Sequence, residues 1–446
     1  MRRIFLVILF SLLGISLSSA AIKRDSANTK MSGFFSSKNT TYIISYPHSF
    51  SYEVIIPEGC ELLFQGGSMK GSLVFRDTKL SGAVRLQGSS ISGTVSNSVF
   101  EADWLCYADG ENDDAKNINM MIQVCGNVHF GRGTYRLISQ YDPPKDMIDK
   151  YRDMISSHIG IHRSNVSLKG EPGAILQTAK PLGIICVYTI PHNIDNSVRH
   201  IRIDGLTFHT ENDGKEFHQV QHTVKCIGVN DFRVTNCYFD DFWGDAICLC
   251  HYGDHPGTGE MIRNSHVIIR DNIIIGGSHY NTRNGVAVIN GFDVLIDNNF
   301  IKRCARKDMP GAIDIEANNT AFTVRYITVS NNTIEDCGGT AGGICVNAND
   351  RGGEARNINI MYNSIKNCTY GLAFVVNSDN TTDSYVIQGN VVDEDTTPLI
   401  FVGNGKSKNW VVRDNIFRKK SSITFPGKIQ VTNLVSKDNI FGNATR

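Results

Sequence analysis

From Arg199 onward the chain repeats one short pattern of apolar and polar positions: HIRIDGLTF, DFRVTNCYF, HVIIRDNIII, DVLIDNNFI, YITVSNNTI, NINIMYNSI, SYVIQGNVV and NWVVRDNIF. Each copy alternates, reaches an Asn or Asp, and ends on apolar residues. Alternation with period two marks strands with one buried face. A second short strand follows most copies: GDAICLC (244–250), NGVAVIN (284–290), GAIDIEA (311–317), GGICVNA (342–348) and YGLAFVV (370–376). A repeat of roughly 25 to 36 residues predicts a solenoid in which each unit buries its apolar face against its neighbours.

The pattern lacks the Leu/Asn frame of leucine-rich repeats and the four antiparallel strands of propeller blades. The predicted fold class is all-β, a single-stranded right-handed parallel β-helix (β-solenoid) with an N-terminal capping helix. Asn236, Asn272, Asn298, Asn331, Asn363, Asn390 and Asn415 fall at the corner between two strands. Asn tolerates left-handed backbone and bonds neighbouring amides, so these residues are expected to stack as an internal amide ladder.

Met1–Ala20 carries Arg2 and Arg3, an apolar run and a small-residue end, the pattern of a cleavable signal peptide without a lipid-attachment Cys. Export to the periplasm or medium is expected, with no membrane insertion. Residues 21–41 are polar and expected as a flexible leader. Residues 42–103 are expected as short N-terminal β-coils and 104–446 as the β-helix domain. Near 113–125, Ile118, Met121, Ile122 and Cys125 form one apolar stripe behind Asp113 or Asp114, the capping helix.

Lys plus Arg number 44 and Asp plus Glu 44, with no basic run, which argues against nucleic acid and anionic membrane as partners. Twelve Cys in an exported chain would suit disulfides. However, Cys304, Cys337 and Cys368 recur at one repeat position, where an earlier copy has Phe242, and so are expected as stacked inward-facing free thiols. Cys248-Leu249-Cys250-His251 with His255 resembles a metal-ligand run but lacks a second pair, so no metal is assigned.

The segment ADGENDDAKNINMMI, the strand NVHF and the turn GRGTYRL together resemble the opening of the pectate-lyase-like superfamily of right-handed β-helix proteins. That superfamily includes polygalacturonases, rhamnogalacturonases and phage tailspike hydrolases. The resemblance runs from Trp104 to about Asn404, and the earlier GGSMKGSL segment is similar to N-terminal modules of bacterial carbohydrate-degrading β-helix proteins. It implies the fold; the superfamily hosts hydrolases, lyases, epimerases and non-enzymes. The polygalacturonase motifs Asn-Thr-Asp, Asp-Asp, Gly-His-Gly and Arg-Ile-Lys are not intact here, and Gly244 stands where the first residue of the Asp-Asp pair would lie.

If Ile247/Leu249, Val286/Val288, Ile313/Ile315, Ile344/Val346 and Leu372/Phe374 point inward, then Cys248, Ala287, Asp314, Cys345 and Ala373 form one outward column. Cys250, Asn290, Glu316 and Asn347 form the next. Asp314 and Glu316 leave one strand face with Cα atoms about 7 Å apart, and Asp245 begins a strand two rungs earlier, roughly 10 Å along the axis. Glycoside hydrolysis needs two carboxyl groups about 5 to 9.5 Å apart, one of them protonated, and clustered carboxylates hold protons more tightly. Asp245, Asp314 and Glu316 are therefore the candidate catalytic residues.

Trp243, His251, His255, Arg283, Asn290, Arg303, Arg306 and Asn347 rim the expected groove as candidate substrate-binding residues, and Arg suits a uronate carboxylate. The polar segment 209–225, with His209, His218 and His222, is either a loop over the groove or an idle insertion. The function expected is an exported glycoside hydrolase acting on a uronate-containing or pectin-like polysaccharide or oligosaccharide, with no required cofactor. One alternative is a polysaccharide lyase using β-elimination, in which Ca²⁺ is possible. Another is a non-catalytic carbohydrate-binding or surface protein.

Overall fold

A computed structural model describes residues 21–144, 153–190, 197–251, 263–277, 281–318, 322–348, 353–379, 381–393, 396–419 and 429–442; the signal-peptide stretch lies outside them. The alternating segments form three all-parallel sheets of 12, 12 and 9 strands, to each of which one rung contributes one strand. Asn230–Thr235, Tyr238–Asp240 and Ile247–Cys250 are one such rung. Its first strand pairs in register with the next rung's, Phe232 opposite Val267 and Val234 opposite Ile269, so like positions stack on like. This is the parallel β-helix expected from the repeat.

The corner of each rung assigns different tasks to two adjacent residues. Gly205, Asn236, Asp271, Asn298, Asn331, Tyr362, Gly389 and Asp414 occupy one column, all with φ between 52° and 71°. Left-handed backbone turns the chain there, and Asn, Asp and Gly carry it at least cost. The next residue points inward. Asn272 donates from Nδ2 to Asn299 Oδ1 (2.9 Å), and the same bond links Asn299 to Asn332, Asn332 to Asn363, Asn363 to Asn390, Asn390 to Asn415 and Asn415 to Asn439. The amide ladder exists, but Asn236, Asn298 and Asn331 are not members of it. In NN pairs the first Asn makes the turn and the second the ladder.

Cys304, Cys337 and Cys368 are buried and free, with Cys337 in hydrogen-bonding contact with both neighbours. Phe242, at the equivalent position, is buried too. The thiol stack expected from the repeat is present.

The chain divides into two compact units, Met1–Asn97 and Ser98–Arg446. In the first, residues 21–41 are not a flexible leader. Ala21–Arg24 pairs with Thr40–Ile44, and buried Asp25 accepts the amides of Ser45 (2.8 Å) and Tyr46 (3.0 Å) and contacts His48 Nε2 at 2.8 Å. Polar composition concealed a local hydrogen-bond core. In the second unit, helix α1 (Ala115–Val124) buries Ile118, Met121, Ile122 and Val124, while Cys125 stays half-buried. Its Asn119 donates to His158 O (2.9 Å) and accepts from Gly160 N (3.0 Å), satisfying the backbone of Ser157–Ile161, the first strand of the nine-stranded sheet. The capping helix thus covers an otherwise open sheet edge.

The two corner positions should respond oppositely to mutation. The Asn332 side chain satisfies Asn299 N (2.9 Å) and Ile296 O (3.0 Å) inside the coil, so Asn332→Ala is expected to cost roughly 2–4 kcal/mol in urea unfolding. Asn331→Gly keeps the turn and should stay within about 1 kcal/mol of wild type. Equal losses at both would contradict the division of tasks.

Candidate functional site

In the nine-stranded sheet Ile247, Leu249, Val286, Val288, Ile313 and Ile315 face inward and are buried. Cys248 pairs with Ala287, Ala287 with Asp314, Asp314 with Cys345 and Cys345 with Ala373, so the outward column is the expected one. Its surroundings are not. The column is buried: Phe322, from between strands, clusters with Cys248, Ala287 and Ile289, and Ile400, which pairs with Ala373, continues the column beyond Cys345. Instead of forming an open groove floor, the column is closed off from solvent. Glu316, half-buried, is the accessible end of the acidic pair, and Asn347 Nδ2 donates to its Oε1 at 3.2 Å.

Asp314 is 0% exposed, and among the described residues its carboxyl oxygens have no hydrogen-bond partner other than the neighbouring Glu316 carboxyl. Burial and then the neighbouring Glu316 push its pKa well above the usual carboxylate range, Asp245 adding to the rise and Arg283 opposing it. An ionised Asp314 would need hydrogen bonds that are not there. The protonated form of Asp314 is therefore favoured beside Glu316. Among the described residues, Asn290, on the neighbouring rung, is buried with both side-chain polar atoms unbonded, and Asn284 Nδ2 and Thr282 Oγ1 are also unbonded. Unsatisfied buried polar atoms are scarce in folded proteins, so their concentration here marks a place that the fold alone does not explain.

Asp245 is arranged differently. Its Oδ1 accepts Asn284 N at 3.0 Å and lies 3.4 Å from Arg283 Nε, and its Oδ2 lies 3.0 Å from His222 Nδ1. Burial alone would raise its pKa, yet Arg283 and His222 hold it at about 2. His222 is displaced upward: burial disfavours its charged form, but Asp245 and Cys250 outweigh that. Asp245 is thus the centre of a buried ion-pair cluster rather than a carboxylate facing water. Gly244 beside it donates to Gln221 O at 3.0 Å, and a Cβ on Gly244 would meet the Gln221 carbonyl at 2.8 Å. Close backbone approach excludes a second Asp there.

Cys248 Sγ and Cys250 Sγ are 2.7 Å apart. The two thiols and a ring nitrogen of His222 all lie within 4.8 Å of one another, a set of three possible metal ligands. The hydrogen bond from Cys248 pulls the Cys250 thiol well below its ordinary pKa, with His222 adding to this, while burial pushes Cys248 up. Among the described residues the histidine grouped with the Cys pair is therefore His222 rather than His251. His251 lies against the Phe322 ring, centroids 3.8 Å apart. His255 falls outside the described residues.

The segment that brings His222 here is not idle. Gly214 O and Glu216 O accept Asn281 Nδ2 at 2.9 and 3.0 Å, Gln219 O accepts Arg283 at 3.1 Å, and Phe217 lies 4.2 Å beneath the Arg306 guanidinium. Arg283 and Arg306 are consequently engaged within the protein, Arg306 also with Asp308. Trp243 is buried and meets His218 edge-on, so it offers no exposed stacking face. Arg303 turns a corner at φ 55° and is half-buried. The structure thus unites Asp245 with Arg283, and Glu316 with Asp314 and Asn347, while Asn290 is buried on the rung before, with its carbonyl accepting Asn264 Nδ2. His222 was nameable in the sequence only as part of the loop. Aligning Val224 with Ile247 and Val286 puts His222, Asp245 and Asn284 at one register position.

No family model and no curated protein sequence matches the chain. Solved structures similar to it include PfbA, a surface adhesin of Streptococcus pneumoniae, at 12% identity over 90% of this chain and 83% of that one, TM-score 0.43. An alginate lyase from Paenibacillus sp. str. FPU-7 is similar at 12% identity, covering 68% of this chain and 91% of its own, TM-score 0.45. An endo-xylogalacturonan hydrolase from Aspergillus tubingensis is similar at 12% identity, covering 76% and 93%, TM-score 0.47.

Removing one member of the buried ion-pair cluster strands the others. Arg283→Met is expected to lower unfolding free energy by about 3–5 kcal/mol. Combining it with Asp245→Asn should cost clearly less than the sum of the two single changes. Additive losses in chemical denaturation would show that the two side chains are not coupled.

Proposed function

We propose that the chain is an exported glycan-active enzyme, a glycoside hydrolase in which Asp314 and Glu316 act as one proton-sharing acid–base pair. The observation that carries this reading is a wholly buried carboxyl group that, among the described residues, has no hydrogen-bonding neighbour but the half-buried carboxyl two residues along the same strand face. Glu316 meets the substrate, and Asp314 beneath it keeps a proton in the pair at neutral pH, which glycosidic bond cleavage requires at the leaving oxygen. Asp245 is a positioning residue that fixes Arg283 and His222.

The finer reading is a uronate-containing or pectin-like substrate. With Arg283 and Arg306 engaged inside the protein, Arg303 and the exposed Lys307 are the groups left for a substrate carboxylate. Export rests on the pattern of Met1–Ala20. Among the described residues no helix is long and apolar enough to cross a membrane.

The test is product analysis on a panel of acidic and neutral polysaccharides. New reducing ends without the ultraviolet absorbance of an unsaturated uronate, lost in Glu316→Gln, are the expected result. Ultraviolet absorbance would assign elimination, and silence across the panel would leave a binding protein.

A second measurement separates chemistry from folding. Because the folded-state pKa of Asp314 is raised, folding takes up a proton above the unfolded value near 3.8, and stability falls as pH rises from there towards the folded pKa. Asp314→Asn removes that cost. It should melt higher than wild type at pH 7 while losing activity, with the stability gain absent near pH 3. Activity of the wild type should decline as pH rises and the pair loses its proton.

A further inference from the structure

We propose that His222, Cys248 and Cys250 form a binding site for one thiophilic d¹⁰ cation, Zn²⁺ or Cu⁺, independent of the carboxylate pair assigned to glycan chemistry. The three ligand atoms lie within 4.8 Å of one another, with His222 and Cys248 buried and Cys250 half-buried. Two neighbouring rungs build the set. Cys248 and Cys250 are two apart on the strand Ile247–Cys250 and share a face, and His222 enters from the rung before, two residues ahead of Val224–Ile227. Thiolate and imidazole are the ligands that select soft or borderline cations over Ca²⁺ or Mg²⁺.

The surroundings support the histidine as a ligand. Its Nδ1 lies 3.0 Å from Asp245 Oδ2, and Asp245 is itself held by Arg283 and Asn284 N. Nδ1 accepts Asp245 N at 3.1 Å, which leaves Nε2 for the ion, and the adjacent Asp245 carboxylate helps to orient the ring. Two thiolates balance a divalent charge, while Asp245 and Arg283 balance each other, so a site occupied by Zn²⁺ carries no net buried charge and one occupied by Cu⁺ carries a single negative charge. Among the described residues the set ends at three ligands, which completes a trigonal Cu⁺ site or leaves one position open on tetrahedral Zn²⁺.

A disulfide is the competing chemistry for two thiols at 2.7 Å. It requires Cβ atoms about 3.5–4.5 Å apart, whereas residues two apart on an extended strand have Cα atoms about 6.6 Å apart and near-parallel side chains. That spacing suits chelation. With metal–sulfur bonds of about 2.3 Å in tetrahedral geometry the sulfurs would stand about 3.7 Å apart, so binding opens the pair by roughly 1 Å.

The test uses the full chain purified under reducing conditions. Titration of the wild-type protein with Co²⁺ as a Zn²⁺ probe is expected to give the intense thiolate-to-cobalt band of one sulfur-bound ion per chain, displaced by Zn²⁺. Competition with chelators selective for Zn²⁺ or for Cu⁺ then ranks the two ions. Cys248→Ser, Cys250→Ser and His222→Gln should each weaken binding at least 100-fold, and Asp245→Asn about 10- to 100-fold. Cys337→Ser, in the separate thiol stack, should bind as wild type. Circular dichroism of each variant separates lost binding from lost fold. A folded wild-type chain that gives no cobalt band with both thiols reduced overturns the proposal. So does a band that survives all three ligand substitutions.

Discussion

Parallel register between rungs is the constraint on which everything else depends. Because Phe232 sits over Val267 and Asp314 over Cys345, each side chain has as neighbours the same position one turn earlier and one turn later. A buried polar group can persist there only if its neighbours satisfy it. The asparagine column meets that condition by repetition: every amide donates to the next and to a backbone carbonyl. The carboxyl of Asp314 does not meet it. One column holds the coil together by repetition, and the other departs from that rule at Asp314.

The outward face of the nine-stranded sheet shows how a solenoid makes a sheltered site without an interior cavity. Its inside is filled by stacked Ile, Leu and Val, so low-dielectric surroundings have to be built outside. Phe322 does this at Cys248 and Ala287, and the segment from Gly214 to Gln219 does it beside Arg283. Shielding from water raises the Asp314 pKa, whereas oppositely charged partners hold Asp245 near 2. The two aspartates are thus pushed in opposite directions because Asp245 is held by Arg283 and His222, whereas Asp314 lies against the Glu316 carboxyl.

What could be read in the sequence follows from the same geometry. Alternation fixes inward and outward residues, so the column containing Asp314 and the adjacency of Glu316 and Asn347 were legible from five aligned strands. The division of NN pairs between turn and ladder was not, because both residues are polar and only the backbone angle separates Asn298 from Asn299. The cover over the outward face was not legible either, since Phe322 lies between strands with nothing in its local pattern to say where it folds back. His222 was masked by a polar stretch rich in histidine. Charge complementarity to Asp245 appears only once the strands after both are aligned. Residues 21–41 misled through composition: Asp25 is buried because it caps backbone amides, a role that polarity scales count as exposure.

The asparagine ladder also gives the coil a direction. Each Nδ2 donates to the rung that follows in sequence, from Asn272 to Asn299 and on to Asn439. During synthesis the earlier rung emerges first and presents its amide donors to whatever comes next. A nascent rung is then a template whose unfilled half is complementary to the one rung still missing. Assembly can proceed by addition at a single growing end, in the order in which the chain is made.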